Sequence, residues 1–203
     1  MEPMYLGPMR LPLAPSVTAA CLAALVLAGC GSHTDTSSAS PPSPSPALAG
    51  ANQCPTTAPD QPGSPEWTLD GATGKLAVTG STDSAAPVVK VDAPFSVTET
   101  QVHTLTAGDG PVVPPTARVT VCYMGVDGRD GNVFDSSYER GAPVEFPLEG
   151  VVPGFQKAIA GQKVGSTVAV AMTSADGYPK GEPRAGIKPG DSLIFAIKIL
   201  GAS

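Results

Sequence analysis

Aromatic rings are scarce in this chain and unevenly placed. It has one Trp, four Tyr and five Phe in 203 residues. Seven of these ten, namely Tyr123, Phe134, Tyr138, Phe146, Phe155, Tyr178 and Phe195, fall between Val121 and Leu200. Rings carry large apolar area and, in Tyr, a polar tip, so this window must hold the core, a pocket, or both. Short β-branched or alternating runs punctuated by Gly, Pro and Asp predict strands near Trp67–Leu69, Leu76–Val78, Phe95–Leu105, Arg118–Tyr123, Val144–Phe146, Thr167–Met172 and Leu193–Ile199. Asp127–Asn132 reads as a turn or bulged loop from its Gly and Asx residues.

One helix is predicted after Val152. Pro153 stands at its first position, where a missing N–H costs nothing. Phe155 and Ile159 share a face at i, i+4 with Ala158 beside them, and Gly161 stops it. A single short amphipathic helix among antiparallel strands implies an α+β architecture, a sheet wrapped over that helix.

The N-terminal third has a different character. Arg10 precedes an apolar run, Leu11–Leu27, that ends in Leu27-Ala-Gly-Cys30. A basic head, an apolar middle and a small-residue exit describe an export signal. The Cys after Leu-Ala-Gly resembles a bacterial lipobox, in which Cys30 takes the lipid. The unbroken apolar part is shorter than the ~20 residues a membrane span requires. Gly31 to about Gly63 is Ser, Thr, Pro and Ala with few large apolar residues, too little to offset its ordering entropy, and is expected to be a tether. The expected organisation is therefore a signal over residues 1–29, a tether over 30–64, an N-terminal β extension over 65–106 and a domain over 107–203.

Without Cys21 and Cys30, the exported part keeps Cys54 and Cys122. Two thiols in an oxidising compartment are a candidate disulfide; the alternative is two independent small hydrophobes. Period-two alternation puts Cys122 opposite Val119, Val121 and Tyr123, on a face expected to be outward. The net charge of −6 and the lack of a basic stripe argue against nucleic acid. With only His33 and His103, no zinc-type ligand cluster is visible, and His103 is expected on a strand surface.

Five separated motifs stand in order: Val121-Cys-Tyr123, Phe134-Asp-Ser-Ser137, Val151-Val-Pro-Gly-Phe155, Asp176-Gly-Tyr178 and Leu193-Ile-Phe195. In this order and spacing, from about Ala107 to the C-terminus, the chain resembles the FKBP-type peptidyl-prolyl cis-trans isomerases. The resemblance implies an antiparallel half-barrel around one short helix, with a proline-binding pocket between them and no cofactor or metal. It implies that Phe134 and Asp135 meet the prolyl ring and carbonyl, and that Arg140 pairs with Asp135 and Tyr123. It further implies that Val152 offers a backbone N–H beside Val151, that Phe155 forms the floor, and that the Tyr178 hydroxyl holds a peptide carbonyl. Ile187 and Phe195 complete the lining. On this basis Asp135, Tyr178 and Phe134 are the catalytic candidates, with Tyr123, Arg140, Val144, Val151, Val152, Phe155, Ile187 and Phe195 binding substrate.

Two departures stand out. Phe155 replaces the family's usual Trp, and Val144 stands where a Phe often lines the wall; both shrink the apolar surface and are expected to weaken binding of bulky macrolides. The implied partners are proline-containing exported polypeptides and macrolide ligands, with membrane contact only through the lipid, for a monomer on the outer face of a bacterial cell membrane. The alternatives are a non-catalytic proline-segment binder or chaperone lipoprotein, an envelope-interaction role for Trp67–Leu105, and, weakest, a thiol or serine hydrolase using Cys122 or Ser136-Ser137.

Overall fold

In the computed structural model, residues 53–61 and 63–203 are described. The export signal, Cys30 and most of the tether lie outside them. Two antiparallel sheets organise the rest. The first contains β1 (Trp67–Asp70), β2 (Thr73–Thr79) and β3 (Val88–Ser96) in sequential order. The second contains β4 (Gln101–Thr106), β5 (Arg118–Asp127), β6 (Val133–Ser136), β7 (Val144–Pro147), β8 (Thr167–Met172) and β9 (Leu193–Ala202). Its order is β4-β8-β9-β5-β6, with β7 also paired to β5.

The pairing of β5 decides where a site can form. One edge of β5 pairs with β9 along its whole length. The other edge is shared: β6 pairs with Met124–Val126 and β7 with Arg118–Val121. Between β6 and β7 the chain leaves the sheet in the single turn α1 (Ser137–Arg140). Ser136 caps that turn by accepting from the Glu139 N–H, and Gly141 closes it in the left-handed region at φ 67°.

Helix α2 (Pro153–Ile159) packs on one face of this sheet. Gly154, Phe155, Ala158 and Ile159 are its buried residues, as the i, i+4 pattern predicts. Gly154 allows close approach to β8, since a Cβ there would lie 2.7 Å from the Met172 sulfur. The helix, Val168, Val170 and Met172 of β8, and Leu193, Phe195, Ile197 and Ile199 of β9 form one core. The opposite face of the same strands, Ala169, Ala171, Ile194 and Ala196, packs on Leu76, Val78 and Phe95 of the first sheet.

Several sequence expectations need correction. The strand expected over Phe95–Leu105 is two strands in different sheets. Alternation continues through the crossing because Val97 is buried between the sheets, where its N–H donates to Ser192 Oγ at 3.2 Å. Within residues 65–106, β1–β3 form the first sheet up to Ser96, and β4 joins the second by pairing with β8. Strand β6, over the Phe134-Asp135 motif, was not anticipated; at four residues it is too short to show a period.

The end of the expected tether is docked. Cys54 is buried, its N–H donates to Gly141 O at 3.3 Å, and Thr57 O accepts from the Ala86 N–H at 2.9 Å. Cys54 and Cys122 form a disulfide with a Cα–Cα distance of 5.7 Å. Cys122 does point away from the helix-side core, yet it is not outward: this strap covers it, with Ala86 and Tyr138.

Candidate active site

Seven chain segments converge on one cavity of ≈ 360 Å³, lined by Phe134 and Asp135 of β6, Phe146 of β7, Gly150–Val152, Tyr123 of β5, Phe155 of α2, Tyr178 and Phe195 of β9. The rings are held edge to face. Phe155 and Phe195 have centroids 5.1 Å apart at 89°, Phe134 and Phe195 5.5 Å at 90°, and Tyr123 and Phe155 5.8 Å at 88°. This geometry sets the positive edge of one ring on the negative face of the next. Gly125 makes it fit. It pairs with Phe195 across β5 and β9, and a Cβ there would fall 2.6 Å from Phe134 and 2.8 Å from Phe195. A glycine inside a strand marks such a close approach.

The polar side of the cavity is a three-membered network. The Tyr123 hydroxyl donates to Asp135 Oδ2, Arg140 Nη1 donates to Asp135 Oδ1 at 2.5 Å, and Arg140 Nη2 donates to the Tyr123 oxygen at 3.2 Å. The guanidinium carbon lies 5.9 Å from the Tyr123 ring centroid. Partial burial pushes the Asp135 carboxyl up, but the hydrogen bonds from Tyr123 and Arg140 outweigh it and hold the group below the usual carboxylate range. Burial, followed by its bond to that carboxylate, pushes Tyr123 up to about 12. Asp135 is thus a fixed anion at neutral pH, and Tyr123 keeps its proton.

Tyr178 follows a 3-10 turn, Ser174–Asp176, that is tied down from two sides. Asp176 accepts from Lys157 Nζ at 2.7 and 2.9 Å and from Thr100 Oγ1 at 2.5 Å. Burial, with Glu182 and Asp135 nearby, raises the Tyr178 phenol above its ordinary value. Among the described residues its hydroxyl has no hydrogen-bond partner, and neither has the Val152 N–H.

Of the residues singled out in the sequence, Tyr123, Phe134, Asp135, Val151, Val152, Phe155, Tyr178 and Phe195 meet at the cavity, and Arg140 supports it from outside. Val144 and Ile187 do not line it. Val144 sits opposite Val121 on the same face of β7 as Phe146, where the longer ring, not the short branched chain, reaches the cavity. Ile187 is 3 % exposed and belongs to the same buried core as Phe155 and Phe195. Phe146, which the sequence shows only as one of the seven clustered rings, also lines the cavity, as does Gly150, and Gly125 shapes it from behind. A ring at strand spacing in a ring-poor chain, and a glycine inside a strand, were the signals available.

His103 stacks on Trp67 with centroids 5.5 Å apart. Cys122 is held in its disulfide, so the thiol-hydrolase reading has no free nucleophile there. Among the described residues no group of three or more His, Cys, Asp or Glu side chains is placed to hold a metal ion.

The family model described as FKBP-type peptidyl-prolyl cis-trans isomerase matches residues 110–200. A probable FK506-binding protein of Corynebacterium glutamicum is 36% identical over 96 residues, which span 47% of this chain and 80% of that protein. The chain belongs to this family of isomerases. An FKBP-type 22 kDa peptidyl-prolyl cis-trans isomerase of Escherichia coli is 37% identical over 100 residues, covering 49% of this chain and 48% of that one, so the chain spans about half the length of that relative. A crystal structure of a peptidyl-prolyl cis-trans isomerase from Pseudomonas syringae matches with 30% identity and a TM-score of 0.47 over 51% of this chain and 75% of that one. The cavity described above lies within the span that the family model matches.

Proposed function

We propose that this chain is a peptidyl-prolyl cis-trans isomerase acting on X–Pro bonds of exported polypeptides. The observation that carries this reading is a single ring-walled cavity with two unpartnered donors, Tyr178 Oη and Val152 N–H, and one fixed anion, Asp135.

An X–Pro amide resists rotation because turning it breaks C–N double-bond character, a barrier of ~18–20 kcal/mol. Unassisted exchange takes tens to hundreds of seconds. The planar amide is more charge-separated than the twisted one, so water favours the ground state. A dry box formed by Phe134, Phe146, Phe155, Phe195 and Val151 removes that preference and grips the prolyl ring. A ten-thousand-fold gain requires only about 5.5 kcal/mol, a demand that desolvation and positioning can meet with no nucleophile.

The Tyr178 hydroxyl and the Val152 N–H hold carbonyls on one side of the bond while the other side turns. Asp135, held ionised by Tyr123 and Arg140, disfavours the orientation that brings the substrate carbonyl oxygen against it. With Phe155 as a floor smaller than an indole, macrolide ligands are expected to bind weakly.

We further propose that the protein acts as a monomer outside the cell membrane, anchored through a lipid on Cys30. Support comes from the basic head, apolar run and Leu27-Ala-Gly-Cys30 sequence, and from a disulfide that suits an oxidising compartment. Cys30→Ser should abolish labelling by radioactive palmitate; retained labelling would remove the anchor.

The deciding experiment for the activity is a protease-coupled assay on an Ala-Leu-Pro-Phe peptide. An isomerase accelerates the slow phase in proportion to its concentration. Binding of the peptide without acceleration would leave a proline-segment binder or chaperone lipoprotein instead.

A further inference from the structure

The segment Cys54–Thr57 packs behind β5 and is held there by hydrogen bonds as well as by its disulfide. Cys122 and Tyr123 are neighbours on β5, so the bridge anchors the chain one residue from the ring that holds Asp135. From the same strap, the Cys54 N–H donates to Gly141 O at 3.3 Å, at the end of α1, and Thr56 packs on Gly141. The Cys54 sulfur lies 3.4 Å from Ser137 Oγ, and that buried hydroxyl accepts from the Tyr123 N–H at 2.8 Å. Tyr138 fills the space between the two cysteines and Ala86, donating to Ser81 Oγ at 2.9 Å. The far end of the strap is fixed where Thr57 O accepts from the Ala86 N–H.

These contacts converge on a weak point of the fold. Helix α1 is one turn of four residues between two four-residue strands, too short to hold its own conformation. It carries Arg140, whose side chain is 48% exposed and reaches Asp135 and Tyr123 from the end of this turn, so its reach depends on where the turn is held. We propose that the strap, through the Cys54–Cys122 bridge and Ser137, positions Arg140 and Tyr123 around Asp135, making Cys54, Cys122 and Ser137 positioning residues for proline isomerisation. This inference rests on the isomerase reading above.

The test compares the oxidised full-length protein with the Cys54→Ala/Cys122→Ala variant and, with the bridge intact, Ser137→Ala. In both variants kcat/KM on the proline peptide should fall about tenfold, as expected when catalytic groups lose their alignment. The alkaline titration of Tyr123 should move from about 12 towards the ordinary ~10; because Tyr138 is also raised to about 12, it is isolated as the difference between each protein and the same protein carrying Tyr123→Phe. Loss of stability alone would not move that titration in protein that is still folded. Unchanged kcat/KM and an unchanged Tyr123 titration in both variants would overturn the proposal. If the double variant does not fold, Ser137→Ala alone decides. A wild-type protein without isomerase activity would sink the functional reading instead, and the Tyr123 titration would still judge the strap.

Discussion

Strands β8 and β9 present two faces that meet different demands. Towards α2 they carry Val168, Val170, Met172, Leu193, Phe195, Ile197 and Ile199; towards the three-stranded sheet they carry Ala169, Ala171, Ala196 and Ile194. The rear face is narrow because the opposing sheet supplies the volume, with Leu76, Val78 and Phe95, and small residues let the two layers close. The front face keeps a hollow open. Its rings are locked edge to face over Gly125, so the floor and walls cannot collapse into the space a prolyl ring would occupy. One face is filled for stability, and the other is left partly empty for binding.

Substitutions on each face sharpen that contrast. The largest effect is expected for Phe155→Ala, which removes a ring 5 % exposed and shared by the core and the cavity. It should cost about 3–5 kcal/mol in stability, read by urea unfolding, together with most of the isomerase activity. On the rear face, Ala171→Leu should overpack the layer and cost about 1–3 kcal/mol while kcat/KM on the peptide stays within twofold. Equal losses of activity from the two substitutions would break the division between the faces.

Asp135→Val should act in the reverse sense, lowering kcat/KM by about tenfold, or ~1.4 kcal/mol in the barrier, with unfolding in urea little changed. Full activity in that variant would refute the role given to this carboxylate.

The smallest effects concern pH. The folded value of Asp135 lies below its ordinary one, so its contribution is complete above about pH 4 and fades only as pH falls through the lowered value. Activity measured by exchange spectroscopy should therefore be flat from about pH 5 to 8. Tyr123 behaves in the opposite sense. Raised to about 12, it contributes fully below its unfolded value and loses that contribution as pH climbs towards the folded one. Burial also pushes Tyr138 up to about 12, so tyrosinate absorbance should show a late step of two phenols in the wild type and lose half of it in Tyr123→Phe.

The front face was largely legible in the sequence because each of its residues announces itself by type. Rings are rare here, Asp135 follows Phe134 directly, and Pro153 marks where a helix can start. Val144 and Ile187 were misplaced for a different reason: alternation assigns a face, whereas side-chain length and loop path decide which group reaches the cavity. The rear face was not legible. Ala169 and Ala171 would suit a strand facing water as well as one facing a second sheet, and their burial depends on a layer formed nearly a hundred residues earlier.

The five motifs, helix α2 and the candidacy of Cys54 and Cys122 as a pair follow from the chain alone, because each depends on local chemistry or on a count; helix α1 and the bridge itself appear only in the structure. Three further features were settled only in three dimensions: the change of sheet at Val97–Thr100, the docking of Cys54–Thr57 behind Tyr123, and the choice of Phe146 over Val144. The physical reason is common to all three. Periodicity tells a residue which side it faces, but what waits on that side is set by the packing of distant segments.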